Sequence, residues 1–207
     1  MCSIRRGSFA KISKAVVLDV ETTGLSPTRD RIVALAAIQL DFDHLLAHGA
    51  SEFPNFYGLF DPQRSIPAAA SSIHGITNAD IDGEGTFSDE ARSLLDFIED
   101  MPLVAHNCEF DASFLSNEFK RAGISSAMKR PLYCTMQRAC HYVSKGRTKR
   151  YRISLKDACF EFKVPFYDNS LHDAMEDALA TAKLAGTLVA LDREASRSGG
   201  IWNWNNY

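Results

Sequence analysis

Three short stretches gather side chains able to do acid–base or metal chemistry: Asp19-Val20-Glu21, Phe110-Asp111, and His172-Asp173 with Asp177. Asp19 and Glu21 close a valine-rich apolar run at 15–20, and residues two apart on a strand point to one face. Two carboxylates held side by side repel unless something neutralises them, and a divalent cation does so most directly. A solvated strand end would also carry such a pair.

Asp111 follows Leu103-Val104-Ala105-His106-Asn107, which reads as a strand, a turn and the start of a helix. An acid in a first turn lies at the positive end of the helix dipole. Asp111, Leu115 and Glu118 share a face, so Asp111 points inward or along a cleft; a capping aspartate is the plainer alternative. In the third stretch, Asp173 followed by Glu176 resembles a capping box, which starts the helix near Ala174 and leaves His172 on the lead-in loop. On one continuous helix His172 and Asp177 would stand about 140° apart. From the loop, His172 can share a site with Asp177, although a histidine before a helix is also a common surface residue.

Elements that could position these groups are legible in the periodicity. Apolar runs at 15–20, 31–40 and 56–60 read as strands, with breakers at Gly24-Leu25-Ser26-Pro27, and three in succession suggest an antiparallel meander. Helical spacing appears at 88–98, 110–122, 154–162 and 174–191, with a short strand at 103–105 between the first two. Strands first and helices after suggest a layered α/β structure. Residues 1–192 are expected to form one domain, with 193–207 as a tail of little periodicity.

In 207 residues, 45% hydrophobic and 24% charged, the chain can bury one sizeable core. A net charge of -3 argues against a passive nucleic-acid binder, but not against an enzyme whose acids are filled by cations. Cys2, Cys108, Cys134, Cys140 and Cys159 show no C-x-x-C spacing, which disfavours a zinc knuckle or a thioredoxin-like motif. Their odd number, a start at 1–14 without an apolar h-region, and no run long enough to span a membrane lead us to expect reduced thiols in the cytoplasm.

Taken together, the three stretches resemble the DEDDh (DnaQ-like) 3′→5′ exonucleases, the group of the proofreading epsilon subunit of bacterial DNA polymerase and of RNase T. The likeness rests on Asp19-Val20-Glu21-Thr22-Thr23-Gly24, Ala105-His106-Asn107 with Phe110-Asp111, and His172-Asp173-Ala174 with Asp177-Ala178. Ile73-His74-Gly75-Ile76-Thr77 and Ser154-Leu155 add to it, so that it spans roughly 15–189. The resemblance implies an RNase H-like five-stranded mixed sheet flanked by helices. It implies two Mg²⁺ or Mn²⁺ ions held by Asp19, Glu21, Asp111 and Asp177, with His172 as general base. Hard carboxylate oxygens suit these ions, and a histidine changes charge near neutral pH.

The same resemblance implies that Thr22, Thr23, Gly24 and Leu25 cradle the terminal nucleotide and that His74 contacts it. Asn107 and Phe110 are further candidates, although Asn107 equally orders the turn and Phe110 equally packs in the core. The expected substrate is a single-stranded 3′ end, DNA ahead of RNA, with nucleoside 5′-monophosphates as products. An RNase T-like exoribonuclease and a polymerase-associated proofreading subunit remain the alternatives; a protein partner or a homodimer is compatible with either. A non-catalytic binding module is disfavoured because all four acids and the histidine are present. The basic stretch from Lys145 to Arg152 reads either as a solvated loop or as a phosphate contact. Trp202 and Trp204 can stack on bases or dock against protein.

Overall fold

A computed structural model describes residues 8–48, 53–124, 128–144, 152–167 and 171–198. Most of the basic stretch (145–151) and the Trp202/Trp204 segment lie outside the described residues.

The central strand is β1 (Lys14–Thr22), whose alternating residues are apolar on both faces because helices cover both sides. β2 (Ile32–Asp41) and β3 (Asn55–Leu59) extend the sheet antiparallel on one side. β4 (Leu103–Ala105) and β5 (Leu132–Cys134) extend it parallel on the other, giving the order β3-β2-β1-β4-β5. This is the expected five-stranded mixed sheet.

Seven helices complete the described chain: α1 (Phe42–His48), α2 (Ala68–His74), α3 (Phe87–Ile98), α4 (Cys108–Arg121), α5 (Thr135–Val143), α6 (Leu155–Glu161) and α7 (Ala174–Arg197). On one face, Val17, Ala34, Ala36 and Ile38 pack against α7, with α1, α5 and α6 around it. On the other, Val16, Leu18, Val20, Leu35 and Ala37 pack against α3 and α4 through Phe87, Leu94, Phe114 and Phe119. Adjacent residues of β1 and β2 thus serve opposite layers, as a pleated strand requires.

Sequence signals set several helix starts. Ser154 accepts the Asp157 amide at 3.1 Å and opens α6. Asp89 accepts both the amide and the hydroxyl of Thr86 at the start of α3. α2 stops at Gly75, whose φ of 77° is left-handed and where an added Cβ would stand 2.8 Å from Leu171 Cδ1.

Helix α7 continues to Arg197, past the boundary expected at 192. Long-range partners make up for the weak periodicity there. Buried Asp192 accepts the Phe9 amide and pairs with Arg138 and Tyr142. Arg193 donates to the Ala10 and Ile12 carbonyls and to Asp43. Among the described residues, no helix is long and apolar enough to cross a membrane.

Candidate active site

β1 lies where its neighbours change from antiparallel β2 to parallel β4, and crevices at strand carboxyl ends open at such switch points. Asp19 and Glu21 stand at that end, on the face that packs against α7. Their partners on β2 are Ala36 and Ala34, whose small side chains leave the acids room. Asp111 enters from the first turn of α4 and is 4% exposed. Asp177 enters from the first turn of α7, which Asp173 caps by accepting the Met175 and Glu176 amides at 2.9 Å.

His172 precedes α7, as the cap required. Its amide donates to the Ile73 carbonyl at 2.8 Å, and its Nδ1 lies 3.1 Å from Asp177 Oδ2. Ligand atoms of Glu21, His172 and Asp177 all fall within 4.8 Å of one another. The buried Glu21 Oε1 has no hydrogen-bond partner among the described residues.

Crowding of the acids shows in their protonation. Burial, then the charges of Asp177 and Asp111, pushes Glu21 to about 8. Burial drives Asp111 to about 8 against hydrogen bonds from its own amide and from that of Val20. Asp19 is held well above the usual carboxylate range by burial, then by Asp111, Glu21, Asp177 and Asp173. Asp177 is raised by burial, with His172 working the other way. Four clustered carboxyls that resist ionisation, one of them with an orphaned buried oxygen, fit a hard divalent cation.

The remaining expected contacts divide into two groups. Leu25 projects freely, 84% exposed, beside Gly24. His74 is buried; its Nδ1 accepts the Ile76 amide at 3.1 Å, while its buried Nε2 has no partner among the described residues. Burial lowers its pKa, with the Thr22 backbone opposing and the nearby His172 adding to the effect. The hydroxyls of Thr22 and Thr23 turn into their own loop, toward the Gly24 carbonyl and the Arg31 amide, so this stretch offers outward its backbone and Leu25. Asn107 orders its turn through its carbonyl, which accepts the Phe110 amide, and not through a side-chain cap. Phe110 packs at the core edge, 4.8 Å from the Phe114 ring.

Two neighbours of the site lie outside the residues expected to line it. Asp173 adds its charge to Asp19, Glu21 and Asp177 while capping α7. Tyr57, opposite Ala36 on β3, shares the sheet face of Asp19, and its phenol is raised by burial and then by Asp173 and Glu21. Strand alternation carried across β2 would have found it.

A family profile described as Exonuclease matches residues 16–185. The chain belongs to the exonuclease family. Among curated relatives of this DnaQ-like exonuclease, DNA polymerase III subunit epsilon of Rickettsia prowazekii is 33% identical over 183 residues, covering 86% of this chain and 73% of the relative. Exonuclease I of E. coli, solved in complex with a dT13 oligonucleotide, superposes with a TM-score of 0.65 at 19% identity over 93% of this chain. The chain spans 43% of that exonuclease I. Cell-death related nuclease 4 superposes with a TM-score of 0.69 at 15% identity, over 89% of this chain and 66% of its own. At these identities the solved structures establish the RNase H-like fold. The family establishes the class of enzyme, a 3′→5′ exonuclease hydrolysing phosphodiesters, for which divalent metals are general.

Proposed function

We propose that this exonuclease removes nucleotides from single-stranded DNA 3′ ends and releases nucleoside 5′-monophosphates, as a single domain that runs through α7. The observation that carries this reading is the cluster of Asp19, Glu21, Asp111 and Asp177 with His172 at the carboxyl end of β1. These four acids would hold two Mg²⁺ or Mn²⁺ ions, which when bound offset the charge of the phosphate and of the departing oxygen.

The protein's own groups do the rest. His172 has Nδ1 turned to Asp177, so Nε2 takes the proton of the attacking water. The water oxygen bonds to phosphorus, the bond to the 3′ oxygen of the preceding nucleotide breaks, and the phosphate leaves on the terminal nucleotide. The backbone of Thr22, Thr23 and Gly24, the exposed Leu25 and the unpartnered Nε2 of His74 hold that nucleotide, with Asn107 and Phe110 at the margin. Four buried cysteines, none of them in a disulfide among the described residues, suit a cytoplasmic enzyme.

The relatives named as DNA polymerase III subunit epsilon favour a second reading, in which the same activity works inside a polymerase assembly. The test is degradation of matched DNA and RNA oligonucleotides, labelled at either end, with Mg²⁺ or with EDTA. Stepwise, metal-dependent loss from the 3′ end of DNA is expected. Faster loss of RNA would shift the substrate to RNA, and loss from the 5′ end would overturn the mechanism.

A further inference from the structure

The loop between β1 and β2 has no apolar anchor among the described residues. From Gly24 to Arg31 no residue is buried, and its one large apolar side chain, Leu25, points to solvent. Its position is set by polar contacts: some within the loop, some from Arg64, which donates to the Arg29 carbonyl at 2.6 Å, and a set from α4. Arg121 donates through Nη2 to the carbonyls of Thr28 at 2.9 Å and Pro27 at 3.3 Å, and through Nη1 to the Asp30 carbonyl at 3.4 Å. The same Nη1 is held by Glu118 Oε1 at 3.1 Å.

Glu118 is fully buried and also grips the end of the loop. Its Oε1 accepts Arg31 Nε at 2.7 Å and the Ile32 amide at 3.3 Å, and its Oε2 accepts Arg31 Nη2 at 3.1 Å. The helix that supplies this clamp at its carboxyl end supplies Asp111 at its amino end. Seven residues separate Asp111 from Glu118, two turns and about 10 Å of rigid helix.

We propose that Arg121 is a positioning residue: held by Glu118, it fixes the far side of the loop so that Thr22–Leu25 stand at a set distance from Asp111. This rests on the reading above, in which Thr22–Leu25 cradle the terminal nucleotide. A guanidinium suits the task because its planar fork serves three carbonyls and a carboxylate, one acceptor more than the three donors of an ammonium can each take.

The test compares wild type, Arg121→Ala, Arg121→Lys and, as a control for mere stability, Arg193→Ala, whose bonds hold the chain around residues 10–12 far from the site. The readouts are KM and kcat on a single-stranded oligonucleotide, inhibition by a nucleoside 5′-monophosphate, Mn²⁺ affinity and melting temperature. Arg121→Ala should raise both KM and the inhibition constant about tenfold, well within the ~100-fold that a misplacement of ~1 Å can cost, with kcat and Mn²⁺ affinity little changed. Arg121→Lys should recover part of the loss. Arg193→Ala should lower the melting temperature and leave KM alone. Unchanged KM and inhibition constant in Arg121→Ala, or a loss confined to kcat and Mn²⁺ affinity, would overturn the proposal. A wild-type protein that hydrolyses neither DNA nor RNA would instead sink the exonuclease reading and this inference with it.

Discussion

His172 Nδ1 lies 3.1 Å from Asp177 Oδ2, although the two residues are five apart in sequence. The contact exists because α7 begins between them. Asp173 caps the helix, Asp177 faces inward from the first turn, and His172 stays on the lead-in loop. That loop is tied to the end of α2 by the His172 amide on the Ile73 carbonyl, and Gly75 leaves space there for Leu171. The histidine is therefore held by backbone while its ring stays 65% exposed, open to a substrate approaching from solvent.

Replacing His172 with Gln should remove proton transfer without removing a carboxylate. The expected loss in kcat is about 10²–10⁴-fold, with Mn²⁺ affinity within about threefold of wild type. Steady-state kinetics and a metal titration on the same preparation check this. An unchanged kcat would remove His172 from the chemistry.

The metal-free protein should lose stability as pH rises, and metal should restore it. Burial and neighbouring charge raise Glu21 from 4.5 to about 8, and burial raises Asp111 from 3.8 to about 8. The folded state therefore binds more protons than the unfolded state across roughly pH 4–8, and its stability falls through that window as the carboxyls are forced to ionise. Cations displace those protons, so stabilisation by Mg²⁺ should be small at pH 6 and large at pH 9. Calorimetry with and without Mg²⁺ reads this directly; a metal effect that shrinks with rising pH would contradict the assignment. Glu21→Gln should raise the metal-free melting temperature at pH 9.

Gly24 sits against Asp30, and a Cβ there would stand 2.6 Å from Asp30 Oδ2. That carboxylate cannot step aside freely, because it accepts the Ser26 amide at 2.9 Å and pairs with Arg64. Gly24→Ala should displace the loop and cost about 10–100-fold in kcat/KM, carried by KM. Equal kinetics for wild type and variant would show that the cradle tolerates the shift.

Asp192 pairs with Arg138 at the far end of α7, with both side chains nearly inaccessible. Asp192→Ala would leave the Arg138 cation in the core without its carboxylate and free the Phe9 amide. It should cost about 3–5 kcal/mol in urea unfolding. Activity per folded molecule should be unchanged, since this network is remote from Asp19.

Sequence reading succeeded where the signal was local. β1, β2 and α7 announce themselves by apolar period and cap, and Asp19, Glu21, Asp111 and Asp177 each flank the end of an element. β5 was missed because three residues carry no period; pairing with β4 makes it a strand. α2 was missed because Ala68-Ala69-Ala70-Ser71-Ser72 shows little apolar contrast. α5 hides Arg138 on its buried side, which breaks the apolar pattern, and the partner that permits this lies 54 residues away. Glu118 was visible on the inner face of α4, but its partner Arg31 is 87 residues distant, so the clamp needed the fold to be seen.

The proposed activity requires the carboxylate cluster to bind the ions that hydrolysis uses. Mn²⁺ titration followed by electron paramagnetic resonance, with hydrolysis of a single-stranded DNA oligonucleotide measured in the same samples, tests it most directly. Wild type should bind about two ions per chain, with the rate rising as the second site fills. Asp19→Asn, equally folded by circular dichroism, should lose both the binding and the activity. Undiminished hydrolysis in Asp19→Asn, or in wild type stripped of metal by EDTA, would show that hydrolysis does not depend on ions held by this cluster.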